Sequence, residues 1–100
     1  MSEAVSLAVQ LEPCDDVIFR DLEGESILLD LKTGLYFGLN PVGTRIWHLL
    51  EEGKPPARIL EALLAEYKVS PEQCQRDLRQ LLGLLKEKGL VRIAGDPTKQ

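Results

Sequence analysis

The chain has few of the residues from which active sites and metal sites are usually built. Its 100 residues include one histidine, two cysteines and one methionine. Cys14 and Cys74 stand far apart and form no CxxC pattern, and two cysteines with one histidine do not make a persuasive set of metal ligands. We therefore predict reduced thiols, no metal and no cofactor.

Other absences narrow the class of protein further. No apolar run approaches the roughly 20 residues of a membrane span, and the acidic start does not resemble a signal peptide, so we expect a cytoplasmic protein with no membrane partner. Gly34, Gly38 and Gly43 lack the spacing of phosphate-binding loops. His48 falls about 200° from Ile46 on a helical wheel, away from the apolar stripe, and no nucleophile is evident near it. These patterns predict a protein that is not an enzyme.

Charge is unevenly distributed along the chain. Residues 1–52 hold ten acidic and three basic residues (net −7), whereas residues 53–100 hold nine basic and six acidic ones (net +3), which gives the total of −4. Binding to nucleic acid depends on a local cluster of Lys and Arg, and no dense cluster is present. Hydrophobic residues make up 44% of the chain, which fits one compact domain.

The first half of the chain predicts a three-stranded antiparallel meander. Strands are expected at residues 17–22, 27–31 and 35–39, with apolar residues alternating at 27, 29 and 31. Glu23-Gly24-Glu25 forms the first turn, and Thr33-Gly34 forms the second because glycine adopts a positive φ without steric cost. If the third strand lies at the sheet edge, its free N–H and C=O groups form a template for an added peptide strand.

The second half predicts three helices. Asn40 suits the N-cap of the first, residues 41–52, whose apolar stripe contains Val42, Ile46, Leu49 and Leu50 with Trp47 at its edge. The second helix ends at residue 67. The third runs from Pro71 to residue 88, with Ser70 and Gln73 as a capping box and an apolar stripe of Cys74, Leu78, Leu81, Leu82 and Leu85.

These elements predict one α+β domain over residues 17–93. A short C-terminal strand is expected at residues 90–93. Residues 1–16 are predicted to be a loosely ordered arm with at most one short extended piece, since Pro13 breaks any strand, and residues 94–100 a polar tail.

Two flanks of the third helix lie off its core stripe. Leu84 falls about 120° from Leu78, on the side of Gln73, Asp77 and Gln80. This flank is either scattered surface or the wall of a groove. The opposite flank carries Arg76, Arg79 and Lys86, and is either a solvated face or an anchor for an acidic ligand.

Three segments resemble the pyrroloquinoline quinone biosynthesis protein D (PqqD) family: LDLKTGLYFGLNPVGTRIWHLLEEG, LLAEYKVSPEQ and DLRQLLGLLKEKGLV. The resemblance extends over residues 17–93. It implies a winged helix-turn-helix fold and a precursor-peptide recognition element for ribosomally synthesised, modified peptides. In this family a leader peptide adds as a strand beside the third strand and packs on the third helix, and short free-standing members serve in lasso-peptide pathways.

The resemblance implies a peptide-binding site on two elements. Its expected residues are Leu35, Tyr36, Phe37, Gly38, Leu39, Gln73, Arg76, Asp77, Gln80, Leu81 and Leu84. The leading hypothesis is a non-catalytic adaptor that delivers the leader region of a precursor peptide to a separate maturation enzyme or protease.

The alternative is a winged-helix transcriptional regulator that binds DNA. In that case Arg76 and Arg79 on the third helix would enter the major groove. Charge disfavours this alternative, because residues 70–88 carry four bases against three acids.

Overall fold

The computed structural model describes residues 9–94 as an α+β fold with two small antiparallel sheets and three helices. The elements are β1 (Leu11–Pro13), β2 (Val17–Leu22), β3 (Glu25–Asp30), β4 (Tyr36–Leu39), α1 (Pro41–Glu51), α2 (Pro56–Glu66), α3 (Pro71–Glu87) and β5 (Val91–Ile93). The predicted three-stranded sheet, three helices and C-terminal strand are confirmed. The narrower winged helix-turn-helix label stays a prediction.

The β1 strand departs from the predicted loose arm. Leu11 is completely buried, and β1 pairs antiparallel with β5 so that Pro13 lies opposite Val91. Among the described strands β5 is the single neighbour of β1, and Pro13 ends β1 where its missing N–H breaks no ladder hydrogen bond. Residues 1–8 of the predicted arm and residues 95–100 of the predicted tail lie outside the described residues, and the domain bounds of 17 and 93 stay a prediction.

The second hairpin is closed by a longer loop than the predicted two-residue turn. The β3 strand ends at Asp30, whose carboxylate accepts hydrogen bonds from the Lys32 backbone nitrogen (3.0 Å) and the Thr33 hydroxyl (3.1 Å). Gly34 then adopts a φ of 76° and donates to the Asp30 carbonyl at 2.7 Å. The side chain of Asp30 therefore stabilises the loop that brings β4 alongside β3.

The β2–β3–β4 sheet packs one face against α1. The side chains of Ser26 and Thr44, both buried, share a hydrogen bond of 2.8 Å between β3 and α1. Trp47, which was expected at the edge of the stripe, is 2% exposed in the core. Val42, which was expected in the same stripe as Ile46, is exposed.

The α3 helix completes the core from the other side. Its buried stripe contains Cys74, Leu78, Leu82 and Leu85, as the sequence predicts, while Leu81 is partly buried. The Ser70 hydroxyl accepts a hydrogen bond from the Gln73 backbone nitrogen at 3.0 Å, which confirms the N-cap. Within residues 9–94, no helix is long and apolar enough to cross a membrane.

Candidate functional site

An open groove of about 510 Å³ lies between β4 and α3. Leu39 and the first turn of α1 also line it, and the α2–α3 connection contributes further apolar side chains. The lining residues are Phe37, Gly38, Leu39, Asn40, Val42, Gly43, Ile46, Leu63, Tyr67, Val69, Gln73, Cys74, Asp77, Leu78, Gln80, Leu81 and Leu84.

The backbone of β4 has a free edge beside this groove. Among residues 9–94 the sheet order is β2-β3-β4, so β4 pairs with β3 and with no other described strand. The carbonyl of Leu35 accepts a hydrogen bond from the last residue of β3 (N···O 3.0 Å). Bonding alternates along an antiparallel pair, so Phe37 and Leu39 also direct their N–H and C=O groups toward β3. Tyr36 and Gly38 therefore direct theirs toward the free edge.

A close backbone approach fixes the junction of β4 and α1. The Asn40 side chain caps α1 by accepting a hydrogen bond from the Gly43 nitrogen at 2.8 Å. A Cβ atom at Gly43 would lie 3.1 Å from Leu39 Cδ2 and 3.3 Å from Asn40 Oδ1, so a larger residue would push α1 away from β4. The absence of a side chain at Gly43 thus lets the first turn of α1 pack closely against Leu39.

The α3 wall combines apolar side chains with one charge. Leu84 is 36% exposed at the rim, and Leu81 is half-buried below it. Asp77 is the single charged residue among the described residues that line the groove. Its carboxylate accepts hydrogen bonds from the Gln73 side-chain nitrogen at 3.0 and 3.1 Å. The groove can accordingly take apolar side chains and a hydrogen-bond donor.

The thiol in the groove is chemically quiet. Burial, and to a lesser extent the nearby carboxylate of Asp77, raises the pKa of the Cys74 thiol. The thiol is therefore protonated at neutral pH, whereas the reactive form of cysteine is the thiolate. Cys74 contributes apolar surface to the groove floor.

The structure brings most of the predicted site residues together. Eight of the eleven line the groove: Phe37, Gly38, Leu39, Gln73, Asp77, Gln80, Leu81 and Leu84. Leu35 is an exposed residue of the hairpin loop, and the Tyr36 side chain lies on the opposite face of the sheet, although its backbone borders the free edge. Arg76 lies beside the wall, with its guanidinium 3.4 Å from the Gln73 side-chain oxygen.

Sequence reasoning missed the contribution of α1 and of the α2–α3 connection. Val42, Tyr67 and Val69 all line the groove. Val42 was assigned to the apolar stripe of its helix and residue 67 to the end of the second helix, and periodicity does not distinguish a core contact from a groove wall. The sequence did offer a signal at Val69, because an isolated apolar residue in a short linker has no helix stripe to join. In the structure Val69 is exposed.

These features define a small domain with an open sheet edge beside an apolar groove. The family model described as Coenzyme PQQ synthesis protein D (PqqD) matches residues 25–91, and the chain belongs to this family. No curated protein matches the chain.

Two solved structures share the fold. One is TbiB1 in complex with the TbiA(beta) leader peptide, with 46% identity and a TM-score of 0.79, covering 85% of this chain and 99% of that chain. The other is lasso peptide synthetase B1 complexed with the leader peptide, with 28% identity and a TM-score of 0.76, covering 83% of this chain and 98% of that chain.

Proposed function

We propose that this protein is a non-catalytic adaptor that binds the leader segment of a ribosomally made precursor peptide. The observation that carries the proposal is the free edge of β4 directly beside an apolar groove. Its two structural relatives were both solved with a leader peptide. Their complexes support a lasso-peptide pathway as the setting of this chain.

The leader would add as a fourth strand of the β2–β3–β4 sheet. An added strand lies about 4.7–4.9 Å from its neighbour and alternates its side chains between the two faces. Tyr36 and Gly38 offer two N–H and two C=O groups to it, which fixes the strand without reading its sequence. Every second side chain of the leader then points toward α3, where the groove selects it.

The opposite edge of the same sheet is a poorer template. The exposed residues of β2 include Arg20 and Asp21, and charged residues along an edge disfavour strand addition. The apolar groove borders β4 and includes no residue of β2. Strand addition at β4 therefore combines backbone bonding with side-chain anchors, which β2 does not offer.

The DNA-binding alternative finds no support in the geometry of α3. Asp77 lies on the groove side of α3, residues 70–88 carry four bases against three acids, and the net charge of the chain is −4. Duplex binding through several phosphates needs a concentration of basic side chains. The adaptor would instead pass its bound precursor to a maturation enzyme or protease.

Titration with leader peptides encoded beside the gene of this protein tests the proposal. We expect one leader to bind with a dissociation constant in the micromolar to nanomolar range, roughly −8 to −12 kcal/mol. A scrambled leader and a duplex DNA at the same salt concentration are the controls. Tight, salt-sensitive binding of the duplex without leader binding would contradict the adaptor function.

A further inference from the structure

The face of the β2–β3–β4 sheet that points away from α1 is covered by no element in residues 9–94. The Phe19 ring packs edge-on against His48 of α1, with a centroid distance of 5.0 Å, so its neighbours on β2 point the other way. We call this surface the outer face. Its side chains come from Ile18, Arg20, Leu22, Glu25, Ile27, Leu29 and Tyr36, aligned by the strand register.

The outer face is largely apolar. Ile18, Leu22 and Tyr36 are 42%, 49% and 72% exposed, and Ile27 and Leu29 are half-buried between them. The register places Ile18 opposite Leu29 and Leu29 opposite Tyr36, so one apolar row crosses all three strands. Contiguous apolar surface of this kind on a small domain marks an interaction site.

The rim of this face is acidic. Residues 15–25 include five acidic residues and a single base, Arg20. Glu23 and Glu25 are exposed at the first hairpin of the sheet, whereas the exposed Asp21 lies opposite Ser26 and points to the α1 side. A partner with an apolar centre and a basic rim would complement this surface.

We propose that the outer face docks the maturation enzyme through an apolar patch of that enzyme surrounded by Lys and Arg. This inference rests on the proposed adaptor function. Tyr36 connects the two sites, because its backbone borders the free edge while its side chain lies on the outer face. A leader strand added to β4 extends the same sheet, so an enzyme docked on the outer face contacts the sheet next to the leader.

Charge argues against a second copy of this chain as the occupant. Two copies joined through their outer faces would bring two acidic rims together, and like charges in an interface are repulsive. A basic partner removes this repulsion. Its association should also slow as salt screens the opposite charges.

The test separates enzyme docking from leader binding. Ile18→Lys/Leu22→Lys changes two exposed residues of β2, which is separated from β4 by β3. Ala57→Lys/Ala65→Lys adds the same charge on exposed positions of α2 and is the matched control. The probe is the purified maturation enzyme encoded beside this gene, and the readouts are leader affinity and the adaptor concentration that gives half-maximal conversion of the precursor.

We expect the β2 variant to bind the leader with unchanged affinity and to need about tenfold more adaptor for half-maximal conversion. The α2 control should match the wild type in both readouts. For the wild type, the half-maximal concentration should rise between about 0.05 and about 0.5 M salt. Ile18→Thr/Leu22→Thr, which keeps residues that favour strands, repeats the test if the lysine variant does not fold.

Three results would overturn the inference. Equal half-maximal concentrations for the β2 variant and the wild type would exclude docking at the outer face. Loss of leader affinity in the β2 variant would show that the face is not a separate site. A dimer of the wild type that the β2 variant dissociates, seen by sedimentation equilibrium, would assign the face to a second copy. Failure of the wild type to bind any leader would instead refute the adaptor function itself.

Discussion

Leu84 is the most informative single position for testing the groove. It is 36% exposed on the α3 rim, next to the half-buried Leu81 and outside the buried stripe of the helix. Complete burial of a leucine side chain contributes about 1.5–3 kcal/mol. Roughly a third of that contribution is still available in the free protein, so contact with the leader would add about 0.5–1 kcal/mol, or about two- to fivefold in affinity.

Leu84→Lys should have a larger effect on binding than this estimate. The substitution removes the apolar contact and also places an ammonium group at the rim, where an apolar leader side chain would desolvate it. We expect binding to weaken by about tenfold or more. Folding should change little, because the aliphatic stem of lysine can cover the same surface of α3 while its charge stays in water.

The assay is fluorescence anisotropy with a labelled leader, accompanied by thermal unfolding of each variant. Leu22→Lys is the matched control, since Leu22 is a comparably exposed leucine on β2 outside the groove. An unchanged dissociation constant for Leu84→Lys would mean that the leader does not contact the rim. A collapsed melting temperature with normal binding by the remaining folded protein would assign Leu84 to the core.

Three further predictions test the edge, the basic flank and an ion pair. Leader binding should slow amide hydrogen exchange at Tyr36 and Gly38 more than at Phe37 and Leu39, whose amides already bond to β3. Unchanged exchange at Tyr36 and Gly38 alongside tight binding would refute strand addition. The double variant Arg76→Glu/Arg79→Glu should keep leader affinity within about twofold of the wild type and slow only the association of an acidic leader, as measured by stopped flow. If the wild type instead forms a salt-sensitive complex with duplex DNA and the double variant does not, the result favours DNA binding. The Arg45 guanidinium donates hydrogen bonds to the Glu66 carboxylate and lowers its pKa. The stabilisation from this ion pair is therefore present above about pH 4.5 and is lost as the pH falls through the lowered pKa. Glu66→Gln should reduce the melting temperature at about pH 7 but not in acid.

The sequence predicted element types well because its local signals agree with the tertiary packing. Asn40 and Ser70 cap helices that begin with proline, and both caps are formed in the structure. Gly53 and Gly89 follow α1 and α3 with positive φ values, a conformation that glycine commonly adopts just past a helix end. Capping and turn chemistry involve neighbouring residues, so a single sequence carries them.

The sequence failed where contacts between distant residues decide the outcome. Leu11–Pro13 becomes a strand only because Val91–Ile93 lies beside it, some 80 positions later in the chain. In β3, the apolar alternation at Ile27 and Leu29 marks the outer face, whereas Leu28 enters the core. Period-two alternation identifies two faces but not which of them a helix will cover.

The energetics of strand addition explain why the groove must accompany the free edge. Tyr36 and Gly38 offer at most four backbone hydrogen bonds, and each contributes about 0.5–1.5 kcal/mol in water, or about 2–6 kcal/mol together. Ordering a flexible leader costs about 2–5 kcal/mol, which offsets most of that gain. An affinity in the micromolar range requires about −8 kcal/mol, so most of it must come from side chains buried in the groove. A leader whose groove-facing residues are replaced by serine should therefore lose measurable binding although its backbone can still pair with β4, and retention of tight binding by that peptide would show that the edge alone suffices.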